Sequence, residues 1–166
     1  MAGTMFIDFG SDIKGASTDS QAKDKIVIQS FSFGGSNPTS ITRSDGEAGT
    51  VGRVQLSDIS VTKEVDKTTP SIFSFMCQGK QLATVTLYMY KASQSGTDVD
   101  FVKITLTKVI ISNHNVTGSD GEGAESFSLN YGTIVTQVTP SNEADGKAGT
   151  AVPKGWDLTA QKVKDK

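Results

Sequence analysis

The chain of 166 residues holds a single histidine and a single cysteine. Neither has an evident partner for chemistry. His114 stands in Asn113-His114-Asn115, and a general base or metal ligand needs a second group at hydrogen-bond or ligand distance. An ordinary polar residue at the end of a strand is the better reading. Cys77, beside Met76, is a nucleophile only with a base next to it, and a small packing residue fits better. Acidic residues gather at Asp98 and Asp100 and again at Asp120, Glu122 and Glu125. A paired-carboxylate site would set two of these in a cleft with separated proton affinities. Both groups lie in or beside expected turns, where acidic side chains stabilise turn geometry and face water. Asp120-Gly121-Glu122-Gly123 lacks the alternating oxygen ligands of a calcium loop, and no glycine-rich phosphate loop joins a strand to a helix. The expectation is a protein that is not an enzyme and uses neither cofactor nor metal.

The length fits one domain, residues 1–166, able to bury a sizeable core. Its 16 basic and 18 acidic residues are interleaved and sum to a net charge of -2. Nucleic-acid binding rests on clustered Lys and Arg, so neither a nucleic acid nor an anionic membrane is an expected partner. No apolar run approaches the roughly 20 residues of a spanning helix. Met1 to Gly15 carries no signal-peptide pattern, and one cysteine fits a reducing cytoplasm.

The elements that must position any function are mostly strands. Period-2 alternation runs through Met5–Phe9, Lys25–Phe33, Arg53–Lys63, Gln81–Lys91, Val99–Ser112 and Phe127–Val138. In Lys25–Phe33, Val27, Phe31 and Phe33 share one face and Ser30 and Ser32 the other. The alternation slips near Ser57-Asp58, which suggests a β-bulge, and again at Gly132, which suggests a bend. Thr68 or Thr69, Pro70 and Gly79 bracket one helix over about 69–78, with Ile72, Phe73 and Met76 toward a sheet. Residues 37–52 read as a long flexible loop of functional length. Gln94 to Asp98 and Ser119 to Ala124 read as turns, Trp156 to Ala160 as a closing strand, and Gln161 to Lys166 as a frayed tail. This is an all-β chain, a barrel or a sandwich, with one helix. The Ser30 and Ser32 face is either the solvent side of an outer strand or the lining of a polar cavity shared by several subunits.

The run Val54-Gln55-Leu56-Ser57-Asp58-Ile59-Ser60-Val61-Thr62-Lys63, followed by Asp66-Lys67-Thr68-Thr69-Pro70, Gly79-Lys80 and Lys91-Ala92, resembles the Hcp family. These are the haemolysin-coregulated tube proteins of type VI secretion systems. Met5-Phe6-Ile7, Ile13-Lys14-Gly15, the strand Ile104 to Ser112 and Gly155-Trp156 extend the resemblance over nearly the whole chain. It departs at Gly15-Ala16-Ser17, where Gly-Glu-Ser is frequent, and at Phe31 and Phe33, where Trp is common. The resemblance implies a small β-barrel of two packed antiparallel sheets with a flanking helix. It implies a homo-hexameric ring stacked into a hollow tube, with sheath, spike and baseplate proteins as partners and effector proteins in the lumen. By position it places Ser30 and Ser32 on the lumen-facing strand. It assigns the loop with Asn37, Thr39, Ile41, Arg43, Asp45 and Glu47 to contacts between rings. Export from the cytoplasm without a cleavable signal, and no fused C-terminal toxin domain, are the remaining expectations. A phage-type tail-tube protein and a monomeric ligand-binding β-barrel are the alternatives.

Overall fold

Alternating apolar residues leave each strand with one face to hide, and two sheets hide them against each other. The computed structural model describes residues 4–40, 49–91, 99–140 and 147–165. In chain order the elements are β1 (Met5–Asp8), β2 (Ile26–Ile28), β3 (Ser30–Ser32), β4 (Gly35–Ser36), β5 (Thr39–Ser40), β6 (Thr50–Val51), β7 (Gln55–Leu56) and β8 (Ile59–Glu64). Then follow α1 (Thr69–Gln78), β9 (Leu82–Lys91), β10 (Val99–Ser119), β11 (Glu122–Asn130), β12 (Thr133–Val138), β13 (Val152–Asp157) and β14 (Lys162–Val163).

The first sheet runs β2-β1-β9-β10-β12-β13-β14 and the second β3-β8-β11-β10, all antiparallel. β10 belongs to both. It pairs β9 up to Val109 and β11 from Ile110. Lys108, at φ 54°, turns the strand from one sheet into the other. A left-handed residue here shifts the alternation by one, which is why Leu106 and Val109 both reach the core. The expected strand end at Ser112 is overturned: β10 continues to Ser119, and the Asp120-Gly121 turn, with φ of 52° and 84°, reverses it into β11. Both turn residues need positive φ, and Asp-Gly supplies it.

The sheets also meet at Gln29, between β2 and β3. Its N–H leaves the first sheet and donates to Thr62 O on β8 at 2.8 Å. The fold is two packed antiparallel sheets that share β10, and not a closed barrel. The change of sheet at Gln29 also alters the expected facing. Ile26 and Ile28 are buried and Val27 is half exposed, while Phe31 turns inward beyond the break and Phe33 is exposed. At Ser57-Asp58 the slip is a full break, because β7 pairs β4 and β8 pairs β3 and β11. Tyr131 OH donates to Ser57 O at 2.9 Å across this switch. Burial, aided by Asp58, pushes that hydroxyl up to about 12, so it remains a donor at any physiological pH.

Between the sheets lie Ile7, Phe9, Ile26, Leu87, Ile104 and Leu106 of the first and Ile59, Val61, Ile111, Phe127 and Leu129 of the second. Each fully buried side chain of this size stabilises by roughly 1.5–3 kcal/mol before entropy is counted. α1 covers one side. Thr68 is its N-cap and Pro70 sits in its first turn, while Gly79, at φ 60°, ends it by donating to Met76 O at 3.1 Å. Ile72 is buried, with Phe75 and Met76 packed against the core. Phe73, expected on that face, is exposed, since the 72/75/76 stripe already meets the sheet. The tail is not frayed throughout: β14 pairs with β13 through Trp156↔Val163 and Asp157↔Lys162.

Candidate functional site

β3, β8, β11 and the second half of β10 lie side by side, and their outward positions are almost all small and uncharged. One row reads Ser32–Ser60–Ser128–Asn113 and the next Ser30–Thr62–Ser126–Asn115. The alternation that sends Phe31, Val61 and Phe127 inward sends these hydroxyls and amides outward. Ser30 and Ser32 are exposed, as expected, at the outer strand of this face. Ser60 and Ser128 hydroxyls stand 3.4 Å apart. At one end Asp58 accepts from Ser112 Oγ at 2.5 Å and Asn130 Nδ2 at 2.9 Å. At the other end a groove of about 460 Å³ includes Gln29, Glu64, Thr117 and Glu122. The face is neutral in the middle and acidic at both ends, and it offers many weak hydrogen-bond groups on low relief.

Sequence reasoning found Ser30 and Ser32 but not Ser60, Thr62, Ser126, Ser128, Asn113 or Asn115. Each shows locally as the polar half of an alternating strand. That they share one surface follows only from strand pairing across long sequence separations.

From β3 the chain runs into a projecting ribbon. β4 pairs β7 (Gly35↔Leu56, Ser36↔Gln55), and further out β5 pairs β6 (Thr39↔Val51, Ser40↔Thr50). Gly52 N–H donates to Pro38 O at 2.7 Å. The long flexible loop is thus corrected: its base is a two-tier antiparallel hairpin, because Thr and Val at 50–51 and Thr39 favour extended pairing. Asn37 and Thr39 lie on this ribbon. Ile41, Arg43, Asp45 and Glu47 lie outside the described residues, as does Asp98 with the expected turn at Gln94 to Asp98.

The inward side of the same sheet carries charge. Lys63 Nζ pairs with Glu125 Oε1, and His114 Nε2 meets Glu125 Oε2 at 2.9 Å. Lys63 Nζ also reaches Asp66 Oδ1 at 3.0 Å and donates to Glu64 O at 2.7 Å. The side chains of Lys63 and Glu125 are 0% exposed and that of His114 is 2% exposed. Burial raises the Asp66 carboxyl, but Thr68's hydroxyl and N–H, with Lys63, outweigh it and hold the group below the usual carboxylate range. The Phe73 ring of α1 stands 6.0 Å from the His114 ring. Two expectations fail here. His114 is not a strand-end residue, since β10 continues past it, and Glu125 does not face water, since it falls on the inward phase of β11. Asp120 and Glu122 are exposed at the turn. A third expectation also fails: Cys77, read as a small packing residue, is exposed on α1, because the 72/75/76 stripe makes the helix's contact with the sheet.

His114 lies on the opposite side of the sheet from the serines, so the two do not form a nucleophile–base pair. Among the described residues no group of three or more His, Cys, Asp or Glu is arranged to hold a metal. No helix there is long and apolar enough to cross a membrane.

Two packed antiparallel sheets, a hydroxyl-rich outer face and a projecting ribbon define a β-rich two-sheet protein. The chain matches the family described as Type VI secretion system effector, Hcp, over residues 6–138. It therefore belongs to the Hcp family, the secreted tube proteins of type VI secretion systems. It is similar to Protein hcp1 of Pseudomonas aeruginosa, with 32% identity over 160 residues, covering 95% of this chain and 96% of that protein. A solved type six secretion system protein superposes with a TM-score of 0.85 at 26% identity, covering 98% of this chain and 100% of the other. Hcp1 from Salmonella typhimurium shares the fold, with a TM-score of 0.78 at 21% identity and coverage of 99% and 100%.

Proposed function

We propose that this chain closes into six-membered rings that stack as a hollow type VI secretion tube, with the hydroxyl rows lining the lumen. The carrying observation is the outer face of the second sheet, whose two rows are free of charged side chains and bulky apolar groups. A lumen that must hold an effector protein and then release it suits this chemistry, because scattered neutral hydrogen bonds bind weakly and exchange readily with water. Ser30 and Ser32 sit at its edge and act as effector contacts. The ribbon of residues 37–52, with Asn37, Thr39, Ile41, Arg43, Asp45 and Glu47, bridges to the next ring. Sheath, spike and baseplate proteins are the remaining partners, and the assembled tube is expelled from the cytoplasm.

A ring requires head-to-tail contacts that close on themselves, and joining sheet edges of neighbouring copies would cover free strand groups that otherwise invite aggregation. Ser32→Gln tests the lumen assignment. Six longer amides projecting inward should leave ring diameter unchanged in negative-stain images. They should lower the amount of co-expressed effector that co-purifies with the ring by about tenfold, a change of ~1.4 kcal/mol. Unaltered retention would place the effector contacts elsewhere.

A further inference from the structure

No tight turn joins β8 to β11, so their alignment rests on contacts between the strands, among them Val65 N–H to Gly123 O at 3.0 Å and Asn130 Nδ2 to Asp58 Oδ1 at 2.9 Å. β10 and β11 are joined by the tight Asp120-Gly121 turn, which fixes their register. β8 and β11 are far apart in sequence, and β8 runs on toward α1. A shift of β11 along β8 by two residues would keep every side chain on its own face. The serines of the outer rows do not discriminate against that shift, since Ser60, now opposite Ser128, would meet Ser126 instead. Only the ends of the face oppose it, where Asp58 would lose Asn130 and Glu64 would come opposite Glu122. The apolar pairs are nearly as tolerant, since Ile59, now opposite Leu129, would meet Phe127.

The ionic chain is not tolerant. In the present register Lys63 lies directly opposite Glu125, and His114, opposite Phe127 on β10, reaches Glu125 diagonally. After the shift Glu125 would lie against Val61 and Lys63 against Gly123, so the directly opposed pair would become a diagonal one with the carboxylate set on an apolar neighbour. Removing one member of a buried pair strands the other without water, whereas replacing the whole pair with apolar groups is often neutral. An interaction of this kind contributes little net stability but discriminates sharply between alignments.

We infer that Lys63, Glu125 and His114 form the register pin of the second sheet, the group of positioning residues that aligns the hydroxyl rows on its other face. Lys63 also holds Asp66 at the start of α1, so the same pin sets where the helix seats against the sheet. The inference concerns the sheet and stands whatever that face binds.

Cross-linking within a Cys77→Ser chain reads the register directly. Ser60→Cys with Ser128→Cys reports the present alignment, and Ser60→Cys with Ser126→Cys reports the shifted one. Under mild oxidation, quantified by peptide mass, the otherwise unaltered chain should cross-link only the first pair. With Lys63→Met, Glu125→Leu and His114→Leu added, the second pair should rise at least tenfold while melting temperature and far-ultraviolet circular dichroism stay near parental values. Lys63→Met with Glu125→Gln, which keeps an amide for His114, should give an intermediate pattern and decides the matter should the triple replacement not fold. Exclusive cross-linking of the first pair in the folded variants would overturn the pin. A loss of stability that leaves the pattern unchanged would do the same, because a merely structural role lowers melting temperature without moving the register.

Discussion

Lys63→Met lowers the stability of the chain by about 3–5 kcal/mol, the usual cost of stranding one charge of a buried pair. The ammonium it removes is fully buried and serves three acceptors, Glu125, Asp66 and the Glu64 carbonyl. Without it Glu125 keeps only His114, and the helix start loses the cation beside Asp66. Methionine fills much of the vacated volume, so the loss reports the missing charge more than a cavity. The measurement is urea unfolding at one fixed protein concentration, because assembly shifts apparent stability. Adding Glu125→Leu and His114→Leu should restore most of the loss, a strong departure from additivity among contacting residues. A change below about 1 kcal/mol for Lys63→Met would mean that the buried carboxylate finds compensation elsewhere, and the ionic account of this interior would fail.

Replacing residues 37–54 by Asn-Gly removes the outer ribbon and closes β4 on β7 with a turn suited to a two-residue hairpin. The expected result is loss of stacked tubes with single rings retained. Little of the main core is touched, since the buried cluster draws on Ile59 and Val61 beyond the ribbon and on Ile26 and Ile28 before it. Leu56 and Phe31, which pack against that core, also stay. Sedimentation, with electron micrographs of the same fraction, separates the outcomes. Tubes that persist at parental length would remove the ribbon from the ring-to-ring contact.

Where the chain changes sheets was partly legible in its sequence. The phase slips at Ser57-Asp58 and Gly132 mark real transitions, and Thr68, Pro70 and Gly79 bracket the helix that forms. The slip at Lys108 was harder to place, because a left-handed Lys carries no sequence signature of the kind that Gly or Asn provides. Asn113 to Ser119 is nearly all polar, so its pairing as part of β10 rests on the Asp120-Gly121 turn and not on hydrophobic pattern. The Ser30 and Ser32 face was visible as alternation. Its breadth was not, since Ser60 and Ser128 are brought together by pairing across 68 residues. The ionic chain was the least legible feature. His114, Glu125 and Lys63 each have an unremarkable local context, and only the joint register of β8, β11 and β10 makes them meet. Phe73 shows the converse error: helical spacing allowed it a core position, and the 72/75/76 stripe took the contact.

The most direct test of the proposed assembly is mass in solution by light scattering at low micromolar concentration, with negative-stain images of the same fraction. A species six times the 17.5 kDa chain mass, seen as rings around a central hole, is the predicted result. A clean monomer at that concentration would contradict the ring and leave the hydroxyl face as an open surface.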